Sequence, residues 1–305
     1  MARIAVIGSF VMDNVARMQK FPAAGETVSG ESIARFPGGK GANQCVAAAR
    51  LGGDAIMCGM LGRDSDGEAF REILRSEGIS DEYVFSCDLP TAVAQVQVDG
   101  SGQNRICVIP SANYAFGQRE IERIDGVLKG AELAVFQFEL RPEVTRELIV
   151  RAKSYGTKVL LNPAPAAKPE RELFGGVDYL TPNERELSAL TGLPTETEEE
   201  VTAAAKALLA CGVGAVVATL GARGALVADK HGCEMIAGYA VKAVDTVAAG
   251  DSFNGALAVA LSEGRTLREA VRFANATGAL TVQRAGAIPS LPRREEVEAF
   301  IAARS

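Results

Sequence analysis

The stretch "ELAVFQFELRPEVTRELIVRAKSYGTKVLL", Glu132–Leu161, decides the fold. "ELAVFQF" is a short apolar run, the pattern of a buried strand. "PEVTRELIVRAKSYG" carries a helical pattern with Pro142 at its start and Gly156 at its stop, and "TKVLL" is a second apolar run. Two buried strands joined through a helix pair in parallel. The same rhythm extends both ways. Downstream lie "VDYLT", "ETEEEVTAAAKALLACG" and "GAVVATLG", reading strand, helix, strand. Upstream, "RIAVIGS" and "AIMCGMLG" read as buried strands and "QCVAAARLG" as a helix. "SDGEAFREILRSEG" reads as a helix with Ser65 and Glu68 in capping-box spacing. Near the end, "TLREAVRFANATGAL" opens on a second such pair, Thr266 and Glu269, and Pro292 precedes the helical "RREEVEAFIAAR". Strands alternating with helices predict one α/β unit over residues 1–305: a doubly wound, mainly parallel sheet with helices on both faces.

Two segments break the rhythm, at about residues 14–36 and 91–109. In the second, "TAVAQVQVDGSGQNRICVI" is two strand-like runs around a Gly-Ser-Gly turn. Ala92, Ala94, Val96 and Val98 share one face, opposite Val93, Gln95 and Gln97. A half-polar sheet outside the main one predicts a small β lid whose apolar face needs cover from substrate, core or a second subunit.

The bulk composition excludes several classes. Acidic residues outnumber basic ones, 38 to 32, for a formal charge of −6. No Lys/Arg cluster offers a nucleic-acid footprint. The longest uncharged stretch, Ala207–Ala222, is punctuated by Gly212 and Gly214 and reads as helix end, turn and strand rather than a membrane span. Nothing ahead of Arg3 reads as a signal peptide. The six cysteines (Cys45, Cys58, Cys87, Cys107, Cys211, Cys233) form no C-x-x-C pair and are expected to be reduced thiols of a cytoplasmic protein. His231 is the one histidine, in the turn-like "DKHGCE", so acid–base chemistry is expected from carboxylates.

Neither the P-loop pattern nor a dinucleotide fingerprint is present. "GGKGAN", Gly38–Asn43, reads equally well as a plain turn before a helix or as bare backbone approaching a ligand. "DTVAAGDSFNG", Asp245–Gly255, leads small residues into an acid and then an apolar helix. Asp251 reads as a helix N-cap. The small Ala248, Ala249 and Gly250 leave open the N–H groups that an anion such as a phosphoryl group would take. An acid beside that anion could accept a proton from an attacking hydroxyl. Asp13 and Glu139 each follow a buried strand, where α/β sheets bind ligands. Asn183 and Glu186 read either as a helix cap or as a functional pair, and Thr219–Gly224 as a glycine turn.

"DTVAAGDSFNGAL" and "GGKGANQ" resemble the two signature regions of the ribokinase-like carbohydrate kinases, the phosphofructokinase-B group. "GETVSG", "LGRDSDGE", "LNPAPA", "TPNERE", "TLGARG" and "GAIPSLPRREEVEAF" extend the resemblance along the chain. It implies an α/β domain with a β lid that clasps two subunits into a homodimer. The implied activity is transfer of the ATP γ-phosphoryl group to a primary sugar hydroxyl, O5 of D-ribose in the first reading. A 2-deoxyribose kinase, another sugar or nucleoside kinase and a non-catalytic sugar-sensing protein are the alternatives.

Carried over by residue, the resemblance makes Asp251 the catalytic base, with Ala248, Ala249 and Gly250 as the anion hole. Val11, Asp13, Gly38, Gly39, Lys40, Asn43 and Glu139 fall at sugar positions. Asn183, Glu186, Thr219, Leu220, Gly221, Ala222, Arg223, Gly224, Gly250 and Asn275 fall at nucleotide positions, with Glu186 also helping to place Mg²⁺. Asp245, Val247, Thr281, Arg284, Gly286 and Ser290 match a K⁺ site made mostly of backbone carbonyls. Val11 is a departure: the family's ribose kinases generally place Asn there, and valine cannot bond a hydroxyl. No nucleic acid and no membrane is expected as a partner.

Overall fold

The computed structural model describes residues 3–167 and 171–304; Met1, Ala2, Lys168–Glu170 and Ser305, which the single-unit expectation also takes in, lie outside the described residues. In chain order the elements are β1 (Arg3–Ile7), β2 (Val11–Arg17), β3 (Ser32–Gly38), α1 (Lys40–Arg50), β4 (Asp54–Gly62), α2 (Ser65–Ser76), β5 (Val84–Cys87), β6 (Val93–Val98) and β7 (Asn104–Ile109). They continue with α3 (Gln118–Arg123), α4 (Asp125–Gly130), β8 (Leu133–Phe136), α5 (Pro142–Ser154), β9 (Lys158–Leu161), β10 (Tyr179–Leu180), α6 (Glu184–Thr191), α7 (Glu198–Ala210) and β11 (Ala215–Thr219). The last are β12 (Gly224–Asp229), β13 (Gly232–Ala237), α8 (Ala249–Ser262), α9 (Leu267–Thr281) and α10 (Arg294–Ala302).

Among the described residues the main sheet has nine strands in the order β13-β12-β11-β10-β9-β8-β1-β4-β5. It is parallel from β5 to β11, and β12 and β13 add an antiparallel edge. Each face has its own core. Residues of α1, α2, α8, α9 and α10 pack on one face with Ile4, Val6, Val135 and Val217; those of α3 to α7 pack on the other with Ala5, Ile7, Phe136 and Val216. The alternation along β1 follows from the period of two in a strand, and apolar residues on both faces are what a doubly covered sheet requires.

The second sheet is the lid, in the order β3-β2-β6-β7. Its first strand begins at Val11, three residues ahead of the expected segment, because β2 pairs with β6 from Met12 onward and with β3 from Val11. Asp13 therefore sits on a lid strand rather than in the loop directly after β1. Pairing puts Phe36, Asp13, Ala94 and Val108 in one row, and Ala34, Val15, Val96 and Ile106 in the next row of that face. The lid's apolar face is thus the face that carries Asp13.

Side-chain caps set the starts of α2, α6, α7 and α9. Thr266 and Glu269 form the expected box, and Pro142 is the first residue of α5. The expected Ser65–Glu68 box does not form. Asp64 caps α2 instead, accepting from the Gly67 N–H at 2.8 Å, and its second oxygen accepts from the Thr91 N–H. A carboxylate there joins α2 to the segment entering the lid, which serine could not reach.

Candidate active site

The chain's winding fixes where a site can form. β1 is followed on one side by β4 and on the other by β8, so the winding reverses between β1 and β8. Doubly wound sheets bind ligands beyond the carboxyl ends of strands at that point. Ser9 leaves β1 there and Glu139 leaves β8. Glu139 accepts from the Ser9 hydroxyl in a short hydrogen bond and from the Lys40 backbone N–H at 2.9 Å.

The "GGKG" turn is held by backbone packing. Gly39, at φ 89°, caps α1; a Cβ there would fall 2.6 Å from the Val11 nitrogen. A Cβ on Gly41 would fall 2.4 Å from the Ser9 nitrogen. These glycines let α1 begin directly against the β1–β2 backbone. Gly38 differs: its Cβ would meet the Asp13 carboxylate at 3.1 Å, so its bareness leaves room for that side chain.

Around Lys40 the charge balance is acidic. Burial opposes its charge, but Asp251, Glu139, Glu186 and Asp13 more than compensate and hold the ammonium above its ordinary pKa. Burial, reinforced by Glu139 and partly offset by Lys40, raises Asp13 to about 6. Glu139 and Glu186 are also pushed up, first by burial. Four carboxyl groups around one lysine suit a ligand rich in hydroxyl groups.

Asp251 is the third residue of α8 and is 7% exposed. It is not the helix cap. Ala248 occupies that position in the left-handed region, at φ 59°, without a side-chain cap. The Asp251 carboxylate turns away from the helix end and accepts from Asn43 Nδ2 at 2.8 Å and Gln44 Nε2 at 3.0 Å. The Asn43 Oδ1 is buried and unpartnered, an acceptor left over for a ligand hydroxyl. A Cβ on Gly250 would meet nothing within 4 Å.

A cavity of about 570 Å³ opens on the other side of Asp251 and Lys40. Asn183, Glu186, Thr219, Gly221, Ala222, Gly224 and Asn275 line it, as do Ala248, Ala249 and Gly250. Two predicted nucleotide residues do not: Leu220 is 3% exposed and packs in the core, and Arg223 pairs with Glu184. Asn183 and Glu186 make a reciprocal cap, each backbone N–H donating to the other's side chain at 2.9 Å, so cap and cavity wall are the same pair. Asn275 donates to the carbonyls of Ile236 and Ala237, fixing the end of β13. Tyr239, Val241, Phe253 and Val282 add an apolar wall that no motif announced. The predicted sugar residues Val11, Asp13, Gly38, Gly39, Asn43 and Glu139 do not line this cavity; Val11, Asp13 and Gly38 lie on lid strands. Val11 packs there with Ala92 and Ala94.

The predicted ion loops meet just before α8. Asp245 accepts from the N–H groups of Val247 at 3.0 Å and Gly286 at 2.9 Å. Thr281 Oγ1 lies 2.8 Å from Ser252 Oγ in the first turn of α8, and Ser290 Oγ donates to the Ala287 carbonyl. The Arg284 guanidinium pairs with Glu296, and its backbone N–H donates to the Thr281 carbonyl. Among the described residues no group of three or more His, Cys, Asp or Glu could hold a metal.

The buried acid in the first turn of α8 stands beside the cavity and among the carboxyl groups around Lys40, an arrangement suited to phosphoryl transfer to a small hydroxyl compound. The family model "pfkB family carbohydrate kinase" matches residues 1–294, and the chain belongs to that family. It is similar to the ribokinase of Bacillus subtilis (strain 168), 37% identical over 305 residues, covering 99% of this chain and 100% of that one. Among solved structures it is similar to ribokinase from Thermotoga maritima, with a TM-score of 0.91 and 39% identity over 99% of this chain and 100% of that one. It is also similar to Arabidopsis thaliana ribokinase complexed with ribose and ATP, with a TM-score of 0.91 and 33% identity over 98% of both chains.

Proposed function

We propose that this protein transfers the γ-phosphoryl group of ATP to O5 of D-ribose. The observation that carries the reading is Asp251: a buried carboxylate in the first turn of α8, beside the open space at Gly250, joining the cavity to the lid-side carboxyl groups. The first-turn N–H groups of α8 have no helical partners and lie at the positive end of the helix dipole, where they can hold phosphoryl oxygens. Asp251 accepts the O5 proton as that oxygen attacks phosphorus. In a loose transition state the proton moves late, so a weak base suffices. Asp13, Glu139 and Asn43 Oδ1 supply acceptors for the other hydroxyls. Val11 offers none, so its side of the sugar is held by shape.

The acid excess fits a divalent cation arriving with the nucleotide, with Glu186 as its protein carboxylate. Mg²⁺ would neutralise charge on the phosphates. Asp245, with backbone oxygens of Val247, Thr281, Arg284 and Gly286 and the Ser290 position, fits K⁺, a cation that takes oxygen donors alone. Its chemistry would be to stiffen the turn ahead of Ala248. The lid's apolar face supports a homodimer clasped through the lid. The free cysteines support a reducing, cytoplasmic setting. Among the described residues no helix is long and apolar enough to cross a membrane.

A coupled ADP-release assay of the pure protein against ribose, 2-deoxyribose, hexoses and nucleosides tests the substrate; ribose should give the highest kcat/KM. Asp251→Asn should lower kcat by about 10²- to 10⁴-fold, the range for loss of a general base. A rate near the parent's would remove the mechanism.

A further inference from the structure

Behind Asp251 lies a chain of buried amides that neither the helix cap nor the ligand positions explain. Gln44 on α1 is wholly buried, Gln137 after β8 is 2% exposed and Asn162 after β9 is 6% exposed. Gln44 Nε2 donates to Asp251 Oδ1 at 3.0 Å and to Asn162 Oδ1 at 3.1 Å. Gln137 Nε2 donates to Gln44 Oε1 at 2.7 Å. Asn162 Nδ2 donates to the Thr181 backbone carbonyl at 3.2 Å.

The polarity of this chain is determined from one end. A backbone carbonyl can only accept, so Thr181 orients the Asn162 amide with its oxygen toward Gln44. That oxygen needs a proton, so Gln44 must present Nε2 to it, and the same nitrogen then faces Asp251. The Gln44 oxygen is left for Gln137, which must present its own Nε2. Turning Gln44 over would set its oxygen against both the Asp251 carboxylate and the Asn162 oxygen. Gln137 carries the cost of this arrangement. Its Oε1 is buried without a partner, in the space that a side chain on Gly8 would fill: a Cβ there would come within 2.0 Å of it. Buried polar atoms are usually satisfied, and an orphan of this kind calls for an explanation.

We propose that Gln44 is a positioning residue for Asp251 and that Gln137 locks Gln44 in the orientation that donates. Asn43 holds Oδ2 and Gln44 holds Oδ1, so each oxygen of the carboxylate is tied to a donor on α1. Every donor in the chain is an uncharged amide, so the carboxylate is aimed by hydrogen bonds that add no charge of their own. Gly8 is the glycine that makes room for the lock. The proposal rests on the reading of Asp251 as the base.

The test is a double-mutant cycle with Gln44→Met and Gln137→Met, unbranched replacements that keep length and remove both amide functions. Gln44→Met should lower kcat about 10- to 100-fold while the KM for sugar and for nucleotide stay within about threefold, because the base is misaimed and the ligand contacts are intact. Gln137→Met touches no reacting group and should lower kcat by about three- to tenfold. The double variant should be no slower than Gln44→Met alone, since Gln137 acts only through Gln44. Multiplicative losses, a kcat for Gln44→Met within about twofold of the parent, or a change confined to KM would each overturn the proposal. If Gln44→Met does not fold, Gln137→Met decides alone: a lower kcat at unchanged KM supports the lock, and the parent kcat refutes it. Asp251→Asn run alongside separates the two readings. Near-parent activity in that variant removes the base itself. A large loss there, with an additive cycle, removes only the positioning chain.

Discussion

Gly250 and Ala248 occupy each other's expected places. Gly250 has ordinary helical backbone and empty space where a Cβ would go, while Ala248 takes the left-handed conformation that glycine adopts freely. Nothing in the folded chain alone requires glycine at 250, and the proposed reaction puts a phosphoryl group in the space it leaves. Gly250→Ala should leave stability unchanged or raise it by up to about 1 kcal/mol, from helix propensity. It should lower kcat at least tenfold, because the methyl group occupies the phosphoryl position. Thermal melts and turnover measured on one preparation check both halves; equal activity would move the anion site elsewhere. Asp13 makes a second prediction. Its carboxyl titrates near 6 instead of 3.8, so the free enzyme carries it protonated below that pH. A protonated Asp13 loses acceptor capacity, and kcat/KM for sugar should fall as pH drops through about 6. Stability runs the other way. Because the folded state holds the proton more tightly than the unfolded one, the contribution of Asp13 is present below pH 4 and is lost as pH rises through 6. Asp13→Asn should remove the component centred near pH 6 from both profiles, read by steady-state kinetics and by melts of the unliganded protein.

At the scale of elements, the turn into α8 shows what the sequence could and could not disclose. That the helix is buried, and that small residues precede an acid, is visible in "VAAGDSFNGALAVAL". That Asp251 leaves the helix end to meet Asn43 and Gln44 is not, because those partners lie over two hundred positions away in the chain. Position in a first turn favours capping only where no stronger donor competes, and here two buried amides compete. The same limit explains Asp64 displacing Ser65 as the cap of α2, since the Thr91 N–H it also serves is distant in sequence. The parallel strands were legible because burial on both faces leaves an apolar run. The start of the lid at Val11 was not, because Val11 and Met12 look the same in a loop and in a strand. Leu220 and Arg223 were carried along by the motif around them, yet one packs in the core and the other answers Glu184. Ala248→Gly tests the strain in this turn. Relief of a left-handed alanine should raise stability by on the order of 1 kcal/mol, less the added freedom of the unfolded chain. Calorimetric unfolding measures it, and a destabilised variant would mean that the Ala248 methyl contributes more by packing than its backbone costs.

At the scale of the molecule, the lid is unfinished as the chain stands. The face bearing Asp13 also bears Phe36, Ile106 and Val108, which are 37%, 58% and 50% exposed. Apolar side chains on one face of a sheet belong against something, and covering what is left exposed of each contributes on the order of 1 kcal/mol. The monomer offers no further element among the described residues to cover them, and a sugar between Asp13 and Glu139 would touch only the part nearest β1. A second copy placing its own lid across this face would exclude water and hold the lid over the sugar without ordering a loop for the purpose. Ile106→Glu puts a charge on the edge strand β7 of that face and leaves the cavity beside α8 untouched. Sedimentation at micromolar protein should show the parent as a dimer and the variant shifted to monomer. In the variant, kcat/KM for sugar should drop about tenfold or more as the lid loses its support, while ADP affinity by calorimetry stays at the parent value. A parent that sediments as a monomer across that range would leave the apolar face to the sugar and the core. A variant that dissociates yet keeps full sugar kcat/KM would mean that the lid closes on its own and that pairing serves only to hide its surface.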